Sequence, residues 1–187
     1  MTSNIFDVIV GRGTLKWDAV WRVIAWLASP DEGHGLGTGF RDQLTAFCLG
    51  ESLAPVDVLV EFHLGKDADG KTRHPDMVVA HPGISQPTRI ALVDDVGSKS
   101  PNDKRKLDNL LRYAQLSSAR FEGADRRIVA VTDSRDLERF SGLRNRFEEK
   151  HETLTMLPLP ILAEWIDPSR CVDSPVVKDF RTWALSL

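Results

Sequence analysis

Pro75-Asp76 and Asp94-Asp95 are the residues of this sequence whose types and placement could do chemistry. Asp76 opens a predicted strand that runs to Ala80. Asp94 sits near the end of another, Arg89 to Val96 (RIALVDDV). Carboxylates from neighbouring strands offer oxygen donors only, which suits a hard cation such as Mg²⁺. A cation held there lowers the pKa of water and stabilises charge on a phosphodiester under attack.

The elements that must position these acids follow from periodicity and punctuation. Val56 to Leu64 alternates, with Val56, Val58, Val60, Phe62 and Leu64 on one face and Asp57, Leu59, Glu61 and His63 on the other, which predicts a strand. The Asp-Gly chemistry of KDADGK (Lys66 to Lys71) predicts a turn into the Asp76 strand, and a second turn leads to the Asp94 strand. The three strands read as an antiparallel meander. Ser100-Pro101 with Asp103 predicts a helix start, and that helix runs to about Arg120. Arg126 to Thr132 is a fourth strand. Further helices are expected over Thr14 to Ser29, over Phe40 to Leu49 with Thr38 as cap and Gly50 as stop, from Asp133 or Ser134 to about His151, and from Ser174-Pro175 to the end. The fold class is α/β: one domain over residues 1–187, with a core at about 40–132, a mixed central sheet of about four strands flanked by helices, and helical extensions at both ends.

This order of elements, with Pro-Asp on the second strand and an acid after an apolar run (Ile90-Ala91-Leu92-Val93) on the third, resembles the PD-(D/E)XK nuclease superfamily. The resemblance spans about Phe40 to Thr132. It implies a restriction-endonuclease-like core and Mg²⁺- or Mn²⁺-dependent phosphodiester hydrolysis. Asp76 and Asp94 would be the catalytic acids, and Asp95 would add a ligand through its backbone carbonyl. Several branches carry Gln-x-x-x-Tyr on the next helix; here that position reads Asn109 to Tyr113. The resemblance also implies a lysine two residues after the second acid, on the same strand face, to position water. Val96 stands there. Lys99 lies five residues from Asp94, roughly 16 Å along an extended chain, with the wrong parity unless Gly97 forms a bulge. Lys106 shares one helical stripe with Asn109 and Tyr113, while Leu107, Leu110, Leu111 and Ala114 form the adjacent docking stripe. Lys106 and Lys99 are therefore the candidates for the missing lysine.

Nucleic acid, DNA in particular, is the implied partner. Arg73, Lys104, Arg105 and Arg112, with Asn109 and Tyr113, are the candidate contacts. A net charge of −3, from 24 basic and 27 acidic residues, excludes a general backbone binder but not a basic patch on one face. Family members act as homodimers or as subunits of larger complexes. The alternative reading keeps the fold, loses the lysine and makes the chain a nucleic-acid- or protein-binding module, with Trp17, Trp21 and Trp26 as interface or as core.

Other chemistries find no support. The glycine-rich DEGHGLGTG lacks the lysine of a phosphate-binding loop and reads as a connector. His34, His74 and His81 have no zinc spacing, and no Gly-x-Ser-x-Gly elbow occurs. No apolar run reaches the ~20 residues of a membrane span, and no secretory signal is expected. Cys48 and Cys171, far apart, read as reduced thiols, so the expected compartment is the cytoplasm.

Overall fold

The computed structural model describes residues 17–96, 104–133, 136–150, 153–170 and 174–187. Along the chain run α1 (Trp17–Leu27), α2 (Gly39–Leu49), β1 (Asp57–Val60), β2 (Gly65–Lys66), β3 (Thr72–Arg73), β4 (Met77–His81) and β5 (Arg89–Asp95). They are followed by α3 (Lys104–Arg120), β6 (Asp125–Thr132), a 3₁₀ turn (Leu137–Phe140), α4 (Ser141–Glu148), β7 (Leu154–Pro158), α5 (Leu159–Glu164) and α6 (Pro175–Leu185). Lys99, Cys171 and the expected helix cap at Ser100 to Asp103 lie outside the described residues.

The fold is α/β, with a mixed sheet in the order β1-β4-β5-β6-β7. β1, β4 and β5 pair antiparallel, as the meander requires, and β5, β6 and β7 pair parallel. The helix α3 supplies the crossover that parallel neighbours need. The sheet has five strands where the sequence predicts about four. Its extra member, β7 (LTMLP), runs into the segment MLPLP, whose prolines read as breaks. Pro158 is the last residue of an edge strand, where a missing ladder donor does no harm, and Pro160 lies in the first turn of α5.

Each inner strand is buried on both faces, so alternate residues enter two separate cores. Met77, Val79, Ala91, Val93, Val129 and Val131 pack against α1, α2, α5 and α6. Val78, Ala80, Ile90, Leu92, Ile128 and Ala130 pack against α3 and α4. Trp21 is 1% exposed, and Trp26 packs against the same cluster, so these two tryptophans are core. Leu107 and Leu110 dock α3 on the sheet as its apolar stripe predicts. Leu110 is fully buried. Leu110→Ala is expected to lower unfolding free energy by about 2–5 kcal/mol in urea titration.

Two local expectations change. The alternation over Val56 to Leu64 is not one strand: β1 stops at Val60 because Glu61 adopts φ 54. This reverses the pleat, sending Val56, Val58 and Val60 to one core and Phe62 and Leu64 to the other. Thr38 lies in helical backbone and makes no side-chain cap bond, whereas Gly50 does close α2 at φ 87. A Cβ at Gly50 would also stand 2.6 Å from the Arg127 guanidinium. Among the described residues, no helix is long and apolar enough to cross a membrane.

Candidate metal centre

Strand register brings the acids together. Met77 lies opposite Val93 in the β4–β5 ladder, so one step further Asp76 faces Asp94. Both follow the parity of Val78 and Leu92 and emerge on the α3 side. The backbone N–H of Asp95 donates to Asp76 Oδ2 at 2.8 Å and ties the two strand ends. Asp76, Asp94 and Asp95 each present a carboxylate oxygen within 4.8 Å of the others.

Three carboxylates this close repel one another. Asp94 is 5% exposed, and its Oδ2 is buried without a hydrogen-bond partner. Burial pushes its carboxyl well above the usual carboxylate range; a shared hydrogen bond with Asp76 and that residue's charge push it further, against the pull of Lys106. Burial raises Asp76 as well, partly offset by its hydrogen bonds from Asp94 and the Asp95 N–H. An all-oxygen donor set with an orphaned buried oxygen and surplus negative charge fits a hard divalent cation.

The lysine expected two residues after Asp94 has no counterpart. Val96 is 3% exposed and belongs to the core beneath α3. An ammonium arrives instead from the first turn of α3: Lys106 Nζ donates to the Asp95 carbonyl and to Asp95 Oδ1, both at 2.7 Å. Burial draws the Lys106 pKa down, but Asp94, Asp95 and Asp76 outweigh it and leave the group above the ordinary lysine value. Lys106 is thus a charged donor at neutral pH, suited to orienting water or a phosphate oxygen and not to abstracting a proton. It covers the same Asp95 carbonyl that the family resemblance assigns to the metal.

The remaining candidates divide. Lys104 and Arg105 are exposed at the start of α3. Arg73 and Arg112 are held by a carboxylate absent from the sequence reading, Asp67, at 2.6 and 2.8 Å. Arg73 also donates to Asn109 Oδ1 at 2.9 Å, and the Tyr113 hydroxyl donates to the His74 carbonyl at 2.9 Å. The Asp-x-Asp-Gly turn immediately before the Asp76 strand is the sequence signal for Asp67, since such a side chain is free to bond beyond its own turn.

Glu61 is exposed and pairs with Arg22 at 3.2 Å. Asp18, Trp21, Glu61 and His74 line, with Pro75 and Asp76, a cavity of about 140 Å³, which Asp94 and Asp95 do not line. A roomier cavity of about 600 Å³, between α3, β6 and α4, contains none of the candidate site residues. No family model, curated protein or solved structure matches this chain.

Proposed function

We propose that this chain is a PD-(D/E)XK-like, metal-dependent nuclease that hydrolyses phosphodiester bonds in nucleic acid, with DNA as the favoured substrate. The observation that carries the reading is the convergence of Asp76, Asp94 and Asp95 within 4.8 Å, with the Lys106 ammonium 2.7 Å from Asp95. Asp76 and Asp94, with Asp95, would hold Mg²⁺ or Mn²⁺. When bound, the ion supplies Lewis acidity at the phosphate and acidifies water. Lys106 offsets the negative charge that grows as the water oxygen bonds to phosphorus and the ester P–O bond breaks. The exposed Lys104 and Arg105 supply phosphate contacts beside the centre.

Cleavage of single- and double-stranded DNA and RNA with Mg²⁺ or Mn²⁺ tests this reading, with Asp76→Ala and Asp94→Ala as controls. The expected result is metal-dependent cleavage that both variants abolish. Equal activity in the variants points to a contaminant and contradicts the proposal. Lys104→Ala is expected to weaken nucleic-acid binding alike for all sequences and to lower the slope of log K against log salt by about 0.7–0.9, measured by fluorescence anisotropy.

One observation favours a second reading, a binding module that has lost activity: Val96 fills the expected lysine position, and Lys106 already neutralises Asp95. Metal-independent nucleic-acid binding without cleavage of any substrate would select it.

A further inference from the structure

The acids and the lysine of the candidate centre come from different elements, the entry to β4 and the first turn of α3. Something must hold those elements in register. The hairpin β2–β3 precedes Asp76 directly, and its turn centres on Asp67, whose side chain is only 4% exposed.

The two oxygens of Asp67 do different work. Oδ1 accepts the backbone N–H groups of Asp69 and Lys71 at 2.9 and 3.0 Å and shapes the turn. Oδ2 accepts Arg73 Nε at 2.6 Å and Arg112 NH1 at 2.8 Å. Arg73 belongs to the hairpin and Arg112 to α3, so one oxygen joins the two elements. Arg73 NH1 reaches on to Asn109 Oδ1, one helical turn from Lys106. Tyr113 holds the His74 carbonyl, two residues before Asp76. Arg120 continues the seam, donating to the Leu64 carbonyl at 3.0 Å. Burial pushes the Asp67 carboxyl up, but Arg73 and the N–H groups of Lys71 and Asp69 prevail and bring it to about 2, so it stays ionised at neutral pH.

We infer that Asp67 is a positioning residue of the metal centre: through Arg73 and Arg112 it fixes the hairpin that leads into Asp76 against α3, and so holds the Asp76 carboxylate in place beside Asp94 and the Asp95 amide. The inference rests on the nuclease reading of those acids. It reassigns Arg73 and Arg112, which the sequence nominates as nucleic-acid contacts, to holding the centre together. Asp67 itself bonds none of the three acids, so its effect passes through the placement of Asp76; loss of support outside the coordination sphere typically costs about 10–100-fold in metal affinity.

The test uses the full chain without nucleic acid. Asp67→Asn keeps an oxygen for the turn and removes the charge the two arginines share, leaving Arg112 its pairing with Asp69 at 2.7 Å; Arg112→Met opens the whole link from the helix side. Mn²⁺ affinity by calorimetry and the ¹H–¹⁵N shift of the Asp95 amide are read for each, with Asp167→Asn, in the loop between α5 and α6, as the remote control. Both clamp variants are expected to bind Mn²⁺ roughly 10–100-fold more weakly and to move the Asp95 amide signal, with the control like wild type. Unchanged Mn²⁺ affinity and an unmoved Asp95 amide in Arg112→Met would overturn the inference, since a phosphate contact is silent without nucleic acid. Should wild type bind no Mn²⁺, the nuclease reading fails by itself. The Asp95 amide then still decides the clamp: a shifted signal supports it and an unshifted one refutes it.

Discussion

Asp94→Asn is expected to abolish cleavage and at the same time to raise the melting temperature of the metal-free protein. The first effect follows from losing a central ligand: removing charge stabilisation worth several kcal/mol lowers the rate on the order of 10³-fold or more. The second follows from linkage. The folded Asp94 carboxyl titrates well above its unfolded value. Its ionised form is therefore less favourable in the folded chain, so it subtracts stability at pH values above the folded pKa. That penalty fades as pH falls through the raised value and is gone below the unfolded carboxylate range. Asparagine fills the same space and can donate to Asp76, so it removes the repulsion without opening a cavity. The gain should be largest at pH values above the folded pKa, shrink as pH falls through it and vanish in acid, at roughly 2–4 °C of melting temperature for each kcal/mol relieved. Differential scanning calorimetry at neutral and acid pH measures it. The same sign makes cation affinity rise with pH, because a proton on the Asp76–Asp94 pair competes with the metal. A lower melting temperature for Asp94→Asn at neutral pH would show that the carboxylate cluster is not repulsive.

Lys106→Met is expected to separate metal binding from catalysis. The Lys106 ammonium is the hydrogen-bonded cation at the acids and is 24% exposed. Its loss leaves three close carboxylates less compensated and should lower the stability of the metal-free chain by roughly 1–3 kcal/mol. Cleavage should fall by about 10²–10³-fold, the size of effect seen when one donor to developing charge is removed. Mn²⁺ affinity should hold or increase, because the ammonium no longer shares Asp95 with the metal. Lys106→Arg keeps the charge and should restore stability more than rate, since a planar fork does not reproduce the ammonium's placement. Single-turnover cleavage beside Mn²⁺ calorimetry reads both quantities. Wild-type cleavage in Lys106→Met would remove this residue from the mechanism.

The convergence of the acids was legible at the level of register. Turn punctuation and the antiparallel meander placed Asp76 and Asp94 at the facing ends of adjacent strands, and the helical stripe put Lys106 above them, which is where its ammonium meets Asp95. Both inferences use short-range geometry that a strand or a helix enforces. Contacts across long separations left no such trace. Arg112 and Asp67 are 45 residues apart, so the basic run that looked like a phosphate-facing surface gave no sign that this arginine is engaged. Tyr113 shares its stripe with Lys106 yet is 5% exposed, because that stripe faces the hairpin rather than solvent. Glu61 shows another limit: the alternation continues past it unbroken, while one left-handed residue turns the following side chains to the opposite core. β7 was hidden because proline reads as a breaker wherever edge and interior positions cannot be told apart.

Anomalous scattering from a crystal grown or soaked with Mn²⁺ would locate the ion among the three carboxylates. A peak is expected between the Asp76 and Asp94 carboxylates, with oxygen ligands from both, that disappears in Asp94→Asn. An absence of anomalous density at that position under saturating Mn²⁺, or density confined to other residues, would contradict it.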